Sequence, residues 1–334
     1  MPALTADALT PAVPPVSVAT TPWAVLLNPR SLAMRRGWRA VEALANRHGI
    51  PMLRAETPDD IDGALDAALA GGAARVAVAG GDGTLQAVVT ALLARDPAPT
   101  TSLLALPGGR TNFVARDLGF HRDADAALSR LLDRRCDQLR TQTRHVVEIV
   151  ADDGRVHRGF FAAGAIVDDV IRDLHRQRRG RTAGWHASAV STPFCVLQWA
   201  AAAVFGTRRQ AAPRLAIDAD ALGRLEAACR LLLVSTLEHR DHWLNPYAAR
   251  GTGALRVTAV TVDARGWRRR LPRLLRGRYR DDMDEAVGYL SGRVPGELRI
   301  RGLARLTLDG EELDFDPDTT LVARAGPAVR FLLP

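Results

Sequence analysis

The chain has 334 residues, 47% of them hydrophobic, with 45 basic against 37 acidic side chains and a net charge of +8. That length suits two ordinary domains and that apolar content fills real cores, so wholesale disorder is excluded. All the basic side chains are arginine; without lysine there is no Walker-type lysine, no protein-kinase ATP lysine and no pyridoxal Schiff base.

Residues 1–22 are rich in Ala, Pro and Thr and lack the basic start and apolar stretch of a signal peptide, so a disordered tail is expected there. From Trp23 the pattern changes. Trp23-Ala24-Val25-Leu26-Leu27 reads as a buried strand ending at Asn28-Pro29, after which Trp38, Val41, Leu44 and Ala45 share one helical face. A second strand is predicted over 51–55. The next helix takes Thr57 as its N-cap and Pro58 in its first turn, and closes on Gly71-Gly72. A third strand covers 75–79, Leu85, Val88, Val89 and Leu92 stripe the helix after it, a fourth strand covers 103–106, and another helix starts near Asn112. This alternation predicts an α/β domain with a parallel sheet over residues 23–143.

Beyond residue 140 the texture is that of short strands, predicted at 146–150, 160–163, 231–235, 255–262, 297–301 and 305–308. An apolar helix at 193–205, too short for a membrane span of about 20 residues, and an arginine-rich helix at 267–279 interrupt them. A mainly antiparallel β-sandwich domain is expected over 144–315, with strands in 316–334 returning to the first domain. Cys136, Cys195 and Cys229 form neither a disulfide framework nor a zinc spacing, which suits a reducing cytoplasm.

The strongest chemical signal is Gly80-Gly81-Asp82-Gly83-Thr84, directly after a strand and before a helix. Ligands of parallel sheets collect at the carboxyl ends of strands, where glycines admit a polyphosphate to backbone N–H groups and the helix N-terminus favours its charge. Asp82 cannot hold an anion directly and points to a metal, a ribose hydroxyl or a substrate hydroxyl. A second turn, Pro107-Gly108-Gly109-Arg110-Thr111-Asn112, repeats the strand–turn–helix setting and supplies a second cleft wall, although Thr111 and Asn112 also read as plain N-caps. Asn28-Pro29-Arg30-Ser31 follows the first strand, and Leu308-Asp309-Gly310-Glu311 reads by itself as a hairpin turn.

In order and spacing these segments resemble the diacylglycerol kinase catalytic family, whose relatives include sphingosine and ceramide kinases. Gly164-Ala165-Ile166-Val167-Asp168 adds a weaker match to its glycine-aspartate motif. The resemblance implies a nucleotide domain like that of NAD kinases, a β-sandwich domain, and an active site between them. It implies that ATP rests on Asn28, Pro29 and Ser31, on Gly80, Gly81, Asp82, Gly83 and Thr84, and on Gly108, Gly109, Arg110, Thr111 and Asn112. Mg²⁺ would lie near Asp82. Asp309 would be the general base toward a lipid hydroxyl, diacylglycerol by default, with Glu311 supporting it or the metal. The chain departs from the family at Leu32 (usually Gly), Arg110 (usually Thr), Phe113 (usually Asp) and Thr252 (often Asp). A non-catalytic lipid- or nucleotide-binding relative, and a kinase for a sphingoid or soluble acceptor, are the competing expectations.

Two arginine clusters remain. One is Arg176, Arg178, Arg179 and Arg181; the other runs from Arg268 through Arg280, with Trp267, Leu271, Leu274, Leu275 and Tyr279 interleaved. A basic amphipathic helix fits a peripheral contact with anionic membrane. No nucleic-acid module is present, so no nucleic-acid partner is expected, and no motif bears on whether the chain forms a homodimer.

Overall fold

The computed structural model describes residues 23–121, 123–134, 138–169, 172, 212–238 and 245–334. The expected tail, the apolar helix at 193–205 and the arginine cluster at 176–181 lie outside the described residues.

Four parallel strands open the fold: β1 (Trp23–Leu27), β2 (Met52–Arg54), β3 (Arg75–Gly80) and β4 (Ser102–Pro107), in the spatial order β4-β3-β1-β2. All five residues of β1 are buried, as an apolar run covered on both faces requires. Between and after these strands lie α1 (Met34–Arg47), α2 (Pro58–Ala70), α3 (Asp82–Arg95), the short α4 (Phe113–Asp117) and α5 (Ala124–Leu132). Helix α2 starts where its sequence directs: Thr57 Oγ1 accepts from the Asp60 N–H (3.2 Å) and Asp60 Oδ2 accepts from the Thr57 N–H (2.9 Å), a reciprocal capping box.

The remaining strands are β5 (Thr141–Val150), β6 (Val156–Gly159), β7 (Phe161–Gly164), β8 (Arg214–Asp218), β9 (Arg224–Ser235), β10 (Leu255–Thr261), β11 (Tyr289–Val294), β12 (Glu297–Arg301), β13 (Arg305–Leu308), β14 (Glu311–Asp314) and β15 (Thr320–Leu332). All pair antiparallel with one another. Strand β9 passes between layers: its first half pairs with β8 and its second half with β7 and β10. Leu232 and Val234 enter the core shared with Val147, Ile149, Leu298 and Leu306, whereas Leu231 and Leu233 pack on the opposite face beside Leu274 of α6 (Trp267–Leu274). Both faces of this strand are therefore covered.

The last strand joins the two halves. β15 pairs in parallel with β4 (Phe331 opposite Leu103) and antiparallel with β5 and β12, so parallel and antiparallel strands share one continuous sheet. Strand β5 is unbroken from Thr141 and spans the expected boundary between residues 143 and 144.

Three details differ from the sequence-based expectation. Strands β6, β8, β11 and β14 were not predicted, and β9 begins at Arg224 rather than at 231. The arginine-rich helix stops at Leu274 rather than continuing to 279. Its end has a steric cause: the chain turns at Gly277 (φ 64°), where a Cβ would lie 2.7 Å from the carbonyl oxygens of Asn245 and Tyr247.

Candidate active site

Three turns at the carboxyl ends of β1, β3 and β4 interlock. Asn28 donates from Nδ2 to Thr84 Oγ1 (3.0 Å), and the Gly81 N–H donates to Ser31 Oγ (3.2 Å). The Ala33 N–H donates to the Gly108 carbonyl (3.0 Å) and the Gly108 N–H to the Gly80 carbonyl (2.9 Å). The glycines serve contact between loops as well as access for a ligand. A Cβ on Gly109 would lie 2.5 Å from Gly81 Cα, and one on Gly108 would lie 2.8 Å from Gly80 N and O. Neither obstacle is a side chain that can rotate away. Gly109→Ala is therefore expected to cost about 1–3 kcal/mol of stability by overpacking and to weaken nucleotide binding with it. Denaturant unfolding and ATP titration of the variant check both.

Asn112 does stand at the N-cap position of α4, but neither it nor Thr111 caps the helix with its side chain. Asn112 takes a left-handed conformation (φ 51°), and its Oδ1 accepts from the Gly109 N–H (2.7 Å), which fixes the turn. Thr111 donates from Oγ1 to Asp82 Oδ2 (2.6 Å), while the Val114 N–H reaches Asp82 Oδ1 (3.3 Å). Thr84 is buried beneath the turn rather than capping α3, whose N-cap is Gly81. Pro29 shapes the first turn, Gly83 sits exposed on the first turn of α3, and Arg110 lies partly buried in the third loop. Burial pushes the Asp82 carboxyl above its ordinary range despite the hydrogen bonds it accepts from Thr111 and Val114.

Asp309 reaches these loops from the far end of the chain. Asp309 (φ 47°) and Gly310 (φ 96°) form the two-residue turn between β13 and β14, with the two positive φ angles of a type I′ hairpin. The hairpin reading and the functional reading of this segment are thus compatible, because the tight turn presents the carboxylate. Asp309 Oδ2 accepts from the Phe160 N–H (2.7 Å) and Oδ1 from the Phe161 N–H (2.9 Å). Gly159 makes room, since a Cβ there would lie 2.7 Å from Asp309 Oδ2. Burial, which outweighs these hydrogen bonds, and the neighbouring charges of Asp82 and Glu311 push the Asp309 carboxyl up to about 8. Asp82 and Asp309, from opposite parts of the chain, are therefore close enough to repel.

Further residues belong to the site and carry no motif. Gln86, one turn beyond Asp82 on α3, donates to Glu311 Oε2 and to the Arg158 carbonyl, both at 3.1 Å; its spacing of four from Asp82 was a usable signal. Phe113 stacks on Phe161 (centroids 5.5 Å apart, planes at 21°), so the position that usually carries an acid closes one side of the cleft with an aromatic contact. Asp168, from the glycine-aspartate segment, lies away from the nucleotide loops: it is buried, accepts from Thr307 Oγ1 (2.5 Å) and pairs with Arg172 (2.7 Å) behind the β13–β14 hairpin.

The donor set fits a divalent cation. Mg²⁺ is commonly held by one or two carboxylates together with phosphate oxygens rather than by a protein-only cage, and Asp82 with Asp309 offers two crowded carboxylates that a cation would relieve. No cluster of three or more His, Cys, Asp or Glu side chains suited to a metal occurs among the described residues.

A parallel sheet with interlocked glycine turns is thus met by a carboxylate from a β-rich second part of the chain. Residues 22–143 match the family model of the diacylglycerol kinase catalytic domain. A structure from Bacillus anthracis str. Sterne, provisionally assigned as a diacylglycerol kinase, superposes with TM-score 0.62 at 13% identity, covering 93% of this chain and 97% of that one. A second from the same organism, described as a diacylglycerol kinase, gives TM-score 0.57 at 12% identity over 93% and 96% of the two chains. At these identities the likeness speaks for the fold. No curated protein matches the chain.

Proposed function

We propose that this protein is an ATP-dependent lipid kinase that transfers the γ-phosphoryl group to a lipid hydroxyl, with diacylglycerol the favoured acceptor, and so serves phospholipid synthesis. The observation that carries this reading is the Asp309 carboxyl, set on a hairpin tip against the glycine-loop Asp82. A carboxyl raised to about 8 is basic enough to accept a hydroxyl proton near neutral pH, and in phosphoryl transfer positioning and charge neutralisation do most of the work. In this reading the loops of Asn28, Gly81 and Gly109 hold the phosphates, and Arg110 adds a charged donor that lysine supplies in other kinases. Asp82 holds Mg²⁺, which supplies charge neutralisation at the phosphates when bound. Asp309 orients the acceptor hydroxyl and takes its proton.

The test is label transfer from γ-labelled ATP to mixed lipid vesicles in Mg²⁺. Label in the lipid fraction, absent with Asp309→Asn, supports the proposal, and the labelled species names the acceptor. ATP binding without transfer across a broad lipid panel would overturn it in favour of a binding protein or a soluble acceptor.

No described helix is long and apolar enough to cross a membrane; in this reading the kinase meets its lipid at the membrane surface, with a cytoplasmic, peripheral location proposed. Arg268, Arg269 and Arg273 on α6, with flanking Arg265, Arg276 and Arg278, are exposed and form no ion pair among the described residues. The apolar half of this segment is already used: Leu271 and Leu274 are buried in the protein's own core, and Trp267 lies under the Arg230 guanidinium (4.3 Å). Attraction to anionic lipid would therefore be electrostatic, without insertion. At about 1 kcal/mol per basic residue, replacing Arg268, Arg269 and Arg273 by alanine should weaken binding to anionic vesicles about a hundredfold at low salt. Added salt should weaken wild-type binding as well. Salt-insensitive vesicle binding would count against this surface.

A further inference from the structure

We propose that Gln86 is a positioning residue: its side-chain amide ties the glycine-loop helix to both chain segments that bracket Asp309, and so sets that carboxyl against the phosphate loops. The inference rests on the kinase reading for its functional consequence, but its geometric core does not.

Gln86 and Asp82 are four residues apart on α3 and share a face. The amide nitrogen has two hydrogens, and both are used, one on the Arg158 carbonyl and one on Glu311 Oε2. Arg158 directly precedes Gly159, Phe160 and Phe161, the residues that make room for Asp309 and donate to it. Glu311 directly follows the Asp309-Gly310 turn. One side chain therefore holds the segment before the carboxyl's hydrogen-bond donors and the segment after the turn. Glu311 itself is exposed, and its carboxylate accepts no other hydrogen bond among the described residues. Strand β6 has a second anchor, because Glu148 accepts from Arg158 (2.9 Å) and Arg324 (2.6 Å). Loss of Gln86 should accordingly loosen the site without unfolding the sheet.

The neutrality of the amide matters as much as its reach. A carboxylate at position 86 has no hydrogen to donate and would place a negative charge directly against Glu311. Gln86→Glu would therefore repel Glu311 and push the Asp309 turn away from α3, whereas Gln86→Ala would only release it.

The experiment uses the full chain in three variants, Gln86→Ala, Gln86→Glu and the swap Gln86→Glu with Glu311→Gln, which restores one amide facing one carboxylate. With diacylglycerol vesicles, Gln86→Ala should lower kcat about 10- to 100-fold, the scale of misplacing a catalytic group by an ångström, while KM for ATP changes less than about twofold. Gln86→Glu should lower kcat further than Gln86→Ala, because it repels Glu311, and the swap should recover most of that loss. An unchanged kcat in Gln86→Ala, or a swap no more active than Gln86→Glu, overturns the inference. Hydrogen exchange at the Phe160 and Phe161 amides is read on the same samples. This readout needs no turnover, so a wild type that phosphorylates no lipid sinks the kinase reading alone. Gln86 is then decided by whether exchange quickens in Gln86→Ala and Gln86→Glu and slows again in the swap.

Discussion

Asp309→Asn should lower lipid phosphorylation by about 10²- to 10⁴-fold, the usual contribution of a positioned general base, while leaving the protein folded. Asparagine is the residue that best replaces aspartate here for structural reasons. It tolerates the left-handed backbone of Asp309 (φ 47°) and keeps an oxygen to accept one of the Phe160 and Phe161 N–H groups. A loss of transfer with an unchanged circular dichroism spectrum and retained ATP binding therefore reports chemistry. Residual activity within about tenfold of wild type would assign the proton to another group. The same carboxyl sets the pH dependence. In the proposed reaction its ionised form is the base, so activity with Mg²⁺ should rise with pH, its midpoint drawn below about 8 by the bound cation. The stability sign runs the other way. The folded pKa lies above the unfolded value of 3.8, so the fold binds this proton more tightly than the unfolded chain does. Stability from this group is complete below that value and is lost as pH climbs toward about 8.

The parts of this site that were legible in the sequence are those fixed by local rules. β1, β3 and β4 are uninterrupted apolar runs because both of their faces are covered, and the glycine turns announce themselves by standing between such a run and a helical stripe. What was not legible depends on pairing at a distance. β14 reads Glu-Glu-Leu-Asp with only Leu313 buried, and β6 holds Val-His-Arg-Gly, so neither shows a strand's apolar signature. β11 carries Gly292 and Arg293 in its interior. β9 was recognised only where both faces are buried, from Leu231 onward, and not over its half-exposed start. Gln86 and Glu311 are 225 residues apart, and only the sheet order that threads β15 between β4 and β12 brings their neighbourhoods together. Thr111 and Asn112 show the limit of a local rule: both are good cap residues, yet one is drawn to Asp82 and the other closes a left-handed turn.

Arg172→Ala should destabilise the protein by about 3–5 kcal/mol, the cost of leaving a buried charge without its partner. The Arg172 side chain is nearly fully buried behind the β13–β14 hairpin. It donates to Asp168 Oδ2 (2.7 Å), to Asp314 Oδ1 (2.9 Å) and to the carbonyls of Leu306 (3.3 Å) and Leu313 (2.7 Å). Leu306 and Leu313 face each other across β13 and β14, so one guanidinium closes the base of the hairpin whose tip is Asp309. Asp168 is the group left stranded. Burial already pushes its carboxyl above the ordinary range, with Thr307 and Arg172 opposing the shift. Without Arg172 that carboxyl should rise further and take up a proton in the folded state. The penalty should consequently be smaller in mild acid than at pH 8, because protonation removes the unpaired charge and stability falls as pH rises through the folded pKa. Denaturant midpoints at the two pH values test this directly. A companion variant, Arg172→Met with Asp168→Leu, separates the pair's net contribution from the cost of breaking it, since replacing a whole buried ion pair by apolar side chains is often close to neutral. A loss in Arg172→Ala below about 1 kcal/mol and independent of pH would mean that Asp168 finds water or another donor, and that the hairpin is held by its strand pairing alone.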